Sequence, residues 1–337
     1  MNSFGKNFRV SIFGESHGLK IGVVIDGTPA GLPLSKDDFT TDLLRRKSGK
    51  KGSTPRTEED LLEIVSGVYQ GFTTGTPICI TFNNHDIKSS DYENFENWPR
   101  PGHADFVSNI KFKGFSDPRG GGHHSGRITL GIVAAGVIAK KLIGPVAVEA
   151  KILHIGGQNP WEDILERAIA EGDSLGGVIE CISRGIPVGL GEPFFDSIES
   201  LLSHIIFSIP GVRGVEFGDG FKAAMMFGSE HNDPIMDESG KTLKNGSGGV
   251  NGGISNGNDL VFRVAIKPTS SISKSQATYN MNTHRVEKLK ITGRHDSCFA
   301  LRVPVVIEAS AAIVLADLIN ANKLLCVQRS KSNSIVF

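Results

Sequence analysis

Several short stretches of this chain gather residue types that move protons and hold anions. "GESHG" carries His17, "RPGH" carries Arg100 and His103, and "DPRGGGHHSGR" carries Arg119, His123, His124, Ser125 and Arg127. "GRHDSC" adds Arg294, His295 and Asp296, with Arg302 close behind. An imidazole with an unperturbed pKa near 6.5 gives or takes a proton near neutral pH. Guanidinium groups present forked donors that match phosphate and carboxylate.

The glycine run from Gly120 to Gly122 admits three readings: a turn that holds a phosphate group, a turn that holds a metal ion, or a bare bend. A dinucleotide fingerprint requires glycine at the sixth position, where "GGGHHS" has Ser125, and no acidic ribose partner follows at the expected distance. Adjacent His123 and His124 cannot both face one ion, which disfavours the metal. Three successive glycines carry an entropic cost and permit close backbone approach, and a helix beginning just after them would aim its amides at whatever lies there. An anion or cofactor phosphate is therefore favoured over a bare turn.

Two helices must position these groups. Ile128 to Leu142 has no polar stripe before Lys140, and Val305 to Ile319 is interrupted only by Glu308, Ser310 and Asp317. A helix apolar on every side is covered on every side, so both are expected between layers. Strands are expected at Phe8 to Phe13, Ile21 to Asp26, Leu62 to Tyr69, Thr76 to Phe82, Gly177 to Ser183, Val212 to Phe217 and Leu260 to Ile266. Further helices are expected at Lys36 to Arg46, Trp161 to Glu171 and Phe195 to Ser208. The 24 residues from Met236 to Asp259 are rich in Gly, Asn and Ser, and so long a connection is usually functional or disordered. No tandem repeat and no linker is visible, which predicts one domain over residues 1–337.

The chain has 36 basic and 36 acidic residues in 337, so no long-range field gathers nucleic acid or an anionic membrane, and any anion site must be local. Cys79, Cys181, Cys298 and Cys326 lack CxxC spacing, and nothing resembling a signal peptide precedes the first strand. The longest apolar runs are about a dozen residues, against the ~20 that a membrane span requires. A soluble cytoplasmic protein with free thiols is expected.

"FGESHG", "RPGHAD", "RGGG..SGR" before an "AAG.IAKK" helix, "GDGF", "KPTSSI" and "GRHD.C" before a "VLAD" helix occur in order from Phe8 to about Ile319. In that combination the chain resembles the chorismate synthase family. The resemblance implies an α+β fold, a single-domain β-α-β sandwich with buried helices between antiparallel sheets, assembled as a homotetramer. It implies conversion of 5-enolpyruvylshikimate 3-phosphate into chorismate with loss of phosphate, using reduced FMN without net redox change. It further implies that His17 donates a proton to the reduced flavin, that His103 protonates the departing phosphate, and that Asp296 works with the flavin as proton acceptor. FMN contacts are expected from His123, His124, Ser125, Pro210, Gly211, Gly252, Lys267, Pro268, Thr269, Ser270, Ser271 and Arg294. Arg46, Lys51, Arg100, Arg127 and Arg302 are expected to hold the substrate's anions or NADP. No part of the chain resembles a reductase, so an external flavin reductase is expected, with NADPH at most an indirect source of reducing equivalents.

Three positions depart from the commoner family pattern. His123-His124-Ser125 stands where many members have Arg-Ser-Ser, Lys51 stands where a second arginine is usual, and Ser297 follows "RHD" in place of proline. None removes a proposed catalytic group. Two rival readings remain: a flavin carrier without catalysis, opposed by the retention of His17, His103 and Asp296, and a nucleic-acid binder using "RRKSGKKGSTPR", opposed by the zero net charge and the lack of interleaved aromatics.

Overall fold

The computed structural model describes residues 2–56, 58–87 and 95–325, and Cys326 lies outside them. The first layer is built from β1 (Ser3–Phe4), β2 (Arg9–Gly14), β3 (Lys20–Asp26), β4 (Leu62–Ser66) and, after a small hairpin of β5 (Val68–Tyr69) and β6 (Phe72–Thr73), β7 (Ile78–Asn83). These pair antiparallel in the order β1-β2-β3-β7-β4. Helix α1 (Thr40–Arg46) lies between β3 and β4 in sequence, and α2 (Asp105–Phe112) and α3 (Thr129–Leu142) follow β7.

The second half supplies β8 (Ala147–Ile155), α4 (Glu162–Ala170), β9 (Gly177–Arg184), α5 (Ile198–Ile206), β10 (Val212–Phe217) and the short α6 (Gly228–His231). A hairpin of β11 (Val250–Asn251) and β12 (Ile254–Ser255) precedes β13 (Leu260–Ile266), then come the hairpin β14 (Gln276–Asn280) and β15 (Arg285–Leu289), and finally α7 (Pro304–Leu325). Strands β10-β13-β9-β8 form the second antiparallel sheet. On β13, alternate residues Leu260, Phe262, Val264 and Ile266 are buried, which is the period of a sheet with one covered face.

Both all-round apolar helices lie between the sheets, as their composition requires. Every residue of α3 from Thr129 to Ala139 is buried, as is every residue of α7 from Val305 to Leu318. Helix α3 rests on β2 and β3, α7 rests on β8 and β9, and the two helices pack on each other. Their contact needs a glycine: a Cβ at Gly136 would lie 2.3 Å from the Cβ of Ala309. One apolar cluster runs through both sheets and both helices.

The polar interruptions in α7 all have partners, which is what allows them in a core helix. Glu308 accepts both outer nitrogens of Arg45 at 2.6 Å, Lys140 Nζ at 3.1 Å and the Ala150 N–H at 2.9 Å. Asp317 accepts the N–H groups of Lys6, Asn7 and Phe8 and anchors the N-terminal segment. Ser310 donates to the Val306 carbonyl at 2.9 Å.

Three expectations need correction. The apolar run at Val305 continues into a helix whose stretch Pro304–Asn322 reaches 19 residues at mean hydropathy 1.7, long and apolar enough to cross a membrane by composition. Burial inside the protein accounts for that apolarity, since 78% of its most apolar window is covered. The 236–259 connection is an ordered structure, with β11 and β12 paired and the preceding Asp233 carboxylate accepting the N–H groups of Gly246 and Ser247 at 2.7 and 2.8 Å. Strand β8, helix α2 and the β14–β15 hairpin were not anticipated from sequence. In β8 the signal was present, because Val148, Ala150 and Ile152 alternate with Glu149 and Lys151.

Candidate active site

A cavity of about 810 Å³ opens where the loops after β7 and β13 meet the starts of α3 and α7. That is an ordinary size for a site that takes a small organic ligand. His103, His123, His124, Ser125, Arg127, Pro210, Gly211, Lys267, Pro268, Thr269, Ser270, Ser271, Arg294, Asp296, Arg46, Arg100 and Arg302 all line it. Residues up to about 250 positions apart in sequence are brought together here. His17, Lys51 and Gly252 are not on the wall.

His17 lies directly behind the wall. Gly120, Gly121 and Gly122 have φ of 61°, 81° and 54°, a left-handed run that residues with a side chain do not sustain. A Cβ on Gly120 would lie 2.6 Å from His17 Nε2, one on Gly121 would lie 3.5 Å from His103 Nε2, and one on Gly122 would lie 2.0 Å from the Asp117 carbonyl oxygen. The glycine turn is thus a thin partition that lets two imidazoles approach it from different sides. Its backbone also ties "GESHG" down, since the Gly122 carbonyl accepts Ser16 N–H at 3.0 Å and His123 Nδ1 donates to the Gly14 carbonyl at 2.8 Å. The expected amide cradle at the start of α3 is not its main feature, because a further short turn, Gly126–Ile128, separates the glycines from the helix. Gly120→Ala is expected to lower stability by about 1–3 kcal/mol and to displace His17; unchanged thermal unfolding together with unchanged activity would mean that the turn tolerates a side chain.

The cations fall into two classes. Arg46 is fully enclosed, with its nearest acceptors, Thr129 Oγ1, Asp60 Oδ2 and the Gly126 and Arg127 carbonyls, at 3.4–3.5 Å. Burial pulls its guanidinium down to about 9 against the opposing charge of Asp60. Arg302 donates from Nη2 to Asp296 Oδ2 at 2.7 Å, while its buried Nε has no partner among the described residues. Arg127 and Arg100 are, by contrast, fully engaged: Arg127 by Asn84, Asp60 and the Asn83 carbonyl, Arg100 by Asp105 and Ser271. Arg294 pairs with Asp86 at 2.5 Å.

Lys51 does not reach the cavity. Its ammonium forms an ion pair with Glu166 on the exposed surface, with the side chain 65% exposed, because the chain turns outward before Thr54 returns to the site. Gly252 forms the tip of the β11–β12 hairpin, where a Cβ would meet nothing within 4 Å, and no residue from 236 to 259 lines the cavity. Neither expected contact is made within this chain.

The "KPTSS" segment closes the opposite wall. Lys267 Nζ and Ser270 Oγ both donate to the Gly102 carbonyl, at 2.6 and 2.7 Å, and fasten the "RPGH" loop to the second sheet. Burial and the charge of Arg213 lower the Lys267 pKa. The β14–β15 hairpin buttresses the same loop: Thr278 donates to the Pro99 carbonyl at 3.0 Å, and Leu289 and Ile291 pack with Phe95 and Trp98. Arg100 stacks 4.5 Å over the Phe95 ring.

Both imidazoles are shifted from the ordinary value that the sequence reading assumed. Burial, then the charges of Arg56 and Arg119, push His17 down to about 4. Burial also lowers His103, against the raising effect of its hydrogen bond to the Asp105 carboxylate. Burial and the neighbouring charges favour neutral imidazoles, and an anion beside these arginines opposes that shift.

Sequence reasoning missed Thr54, Arg56, Glu58, Asp60 and Asp105. Arg56 donates to Ser16 Oγ and to Glu58, and Asp60 bridges Arg46 and Arg127 from a left-handed backbone with φ of 55°. The three acidic residues of "TPRTEED", Glu58 to Asp60, at the end of the basic loop were the available signal. The donor set also fits a phosphorylated flavin: Thr269 Oγ1 and Arg302 Nε are buried at the wall without partners among the described residues, and Ser125, His124 and the Gly211 backbone face the same space.

The sequence profile of the family described as chorismate synthase matches residues 8–319. A protein named chorismate synthase from Chitinophaga pinensis is 60% identical over 318 residues, covering 94% of this chain and 96% of that protein. One from Dehalococcoides mccartyi is 48% identical over 94% of this chain and 96% of its own length, and one from Korarchaeum cryptofilum is 45% identical over 93% and 96%. A crystal structure of chorismate synthase superposes with a TM-score of 0.73 at 26% identity, covering 95% of this chain and 93% of that one.

Proposed function

The chain belongs to the chorismate synthase family, and from that premise we propose that its cavity holds reduced FMN and the enolpyruvyl substrate together, with His17, His103 and Asp296 as the proton-handling groups. The reaction is the carbon–oxygen lyase step that converts 5-enolpyruvylshikimate 3-phosphate into chorismate and phosphate, the last of the shikimate route to aromatic amino acids. Reduced flavin, when bound, supplies the electron density that an unactivated ring cannot provide for C–O cleavage and takes it back as the ring hydrogen leaves.

The observation that carries this reading is the convergence of His103, Asp296, Arg46 and Arg302 on one cavity that also presents Ser125, Thr269, Ser271 and Arg294, with His17 one glycine away. Arg46 and Arg302 receive the substrate's anionic groups. His103 gives a proton to the phosphate oxygen as its bond to carbon breaks. Asp296, held by Thr54 and Arg302, lies among the groups that accept the proton lost from the ring. His17 donates toward the flavin from behind Gly120. Ser125, His123, His124, Pro210, Gly211, the 267–271 segment and Arg294 contact the cofactor. The chain acts as one domain, a cytoplasmic homotetramer that receives flavin reduced by a separate enzyme, with NADPH entering only through that partner.

An anaerobic assay with chemically reduced FMN and 5-enolpyruvylshikimate 3-phosphate tests this directly. Chorismate absorbance is expected to rise with reduced FMN and to stay flat with oxidised FMN plus NADPH. No product with reduced FMN would overturn the cofactor assignment, and product with oxidised FMN plus NADPH would overturn the external reductase.

A further inference from the structure

We propose that Asp105 positions the general acid: its carboxylate fixes the His103 ring as the Nδ1–H form and so directs Nε2 at the leaving phosphate. The inference rests on the reading of His103 as the acid. His103 Nδ1 lies 2.5 Å from Asp105 Oδ1, a separation that needs a proton between the two atoms. Arg100 Nη2 stands 3.0 Å from the same Nδ1. Arg100 could donate to Nδ1 only in the other tautomer, so the two neighbours favour opposite forms; the shorter contact is to the carboxylate and favours Nδ1–H, and Arg100 grips that carboxylate from Nη2 at 2.7 Å and from Nε at 2.8 Å. The Arg100 and Asp105 side chains are 4% and 8% exposed, so their geometry is set by the protein and not by solvent.

With Nδ1 occupied, Nε2 is the remaining site; it lies 3.5 Å from where a Cβ would stand on Gly121, and the ring borders both the cavity and the small cleft beside it. The charged and titratable groups around His103 are Arg100 and Asp105 from its own loop, Lys267 from the facing segment, and His124, Glu96 and Asp117 around the adjoining cleft. Burial would raise the Asp105 carboxyl, but hydrogen bonds from Arg100 and His103 outweigh it and hold it below the ordinary range. A charged carboxylate at Nδ1 favours the imidazolium, which Arg100 and Lys267 oppose. In the step itself, the Nε2 proton passes to the phosphate oxygen as the C–O bond breaks and its electron pair stays on oxygen. The ring is left neutral, with Nδ1–H still held by Asp105.

The test combines ¹⁵N NMR of histidine-labelled protein with the kinetics of Asp105→Asn and Asp105→Glu. Wild-type His103 is expected to show a protonated Nδ1 and an unprotonated Nε2 at high pH. In Asp105→Asn the two forms are expected to mix, the alkaline limb of kcat to move about one pH unit lower, and kcat to fall on the order of 10²-fold, with KM and FMN affinity within a few-fold. Asp105→Glu is expected to recover part of the rate. An Nε2–H form in the wild type would overturn the proposal without any variant, even if Asp105→Asn failed to fold. So would an Asp105→Asn protein with the wild-type tautomer and an unmoved alkaline limb. Full activity in His103→Ala would remove His103 as the acid while leaving the tautomer measurement to stand by itself.

Discussion

Asp296→Asn is expected to reduce turnover by about 10²–10⁴-fold, the range of a proton-transfer group, while FMN binding stays within a few-fold. Asp296 is 8% exposed and held at two points, with Oδ1 accepting the Thr54 N–H at 2.8 Å and Oδ2 accepting Arg302 Nη2 at 2.7 Å. An asparagine keeps the shape and can keep the Thr54 bond through its amide oxygen. Its NH₂ then faces a guanidinium, so the second bond and the capacity to accept a ring proton are both lost. The proposed cofactor contacts at Ser125, Thr269 and Arg294 do not pass through Asp296, which is why flavin affinity is expected to survive. Stopped-flow kinetics with reduced FMN and flavin titration measure the two effects separately. If flavin affinity fell by several orders of magnitude, Asp296 would be holding the site together and not handling a proton. Should Arg302→Gln show the same fall in turnover, Asp296 would act by placing Arg302.

The two histidines are expected to fail in different ways. His103→Ala removes the proposed donor to the leaving phosphate and is expected to slow C–O cleavage by about 10²–10⁴-fold, with the spectrum of reduced, substrate-bound flavin little changed. His17→Ala is expected to alter that spectrum before turnover, since His17 is proposed to donate toward the flavin. His17 sits at about 4 in the ligand-free protein through burial and the Arg56 and Arg119 charges, so it is neutral at pH 7 and binding of anionic ligands must raise it before it serves as an acid. NMR titration of the ligand-free and ligand-bound protein is expected to show that rise. Because an unfolded histidine titrates near 6.5, the lowered folded value makes the chain lose stability as pH falls through the window from 6.5 to about 4. His17→Ala removes that component of acid sensitivity. In the active complex both rings must carry their protons, so activity falls on the alkaline side and each variant changes the shape of that limb. Equal rate losses, equal flavin spectra and an unaltered pH profile in the two variants would make both histidines positioning groups for the substrate's anions.

What the sequence determined by itself was the pair of inner helices and many of the residues that line the cavity. The runs from Ile128 and Val305 are apolar on every side, a property of local composition that already requires cover on every side, and both became the inner helices. The "GGG" run signalled backbone that no side-chain-bearing residue sustains, and it proved to be left-handed at all three positions. The histidines and arginines beside it carry chemistry in any fold, so they could be nominated before their neighbours were known. Their state was decided only in three dimensions. Lys51 and Arg46 are both basic residues of one loop region, yet Lys51 meets Glu166, 115 positions away, on the surface, while Arg46 is enclosed with Asp60. Arg100 is engaged by Asp105, and its Nη1 reaches Ser271 across 171 positions. Desolvation and Coulomb terms depend on distance in space and on the depth of burial, neither of which is written in residue order. Residue types therefore named the groups that could act, and the packing of the two sheets around α3 and α7 determined which of them remain available to a ligand.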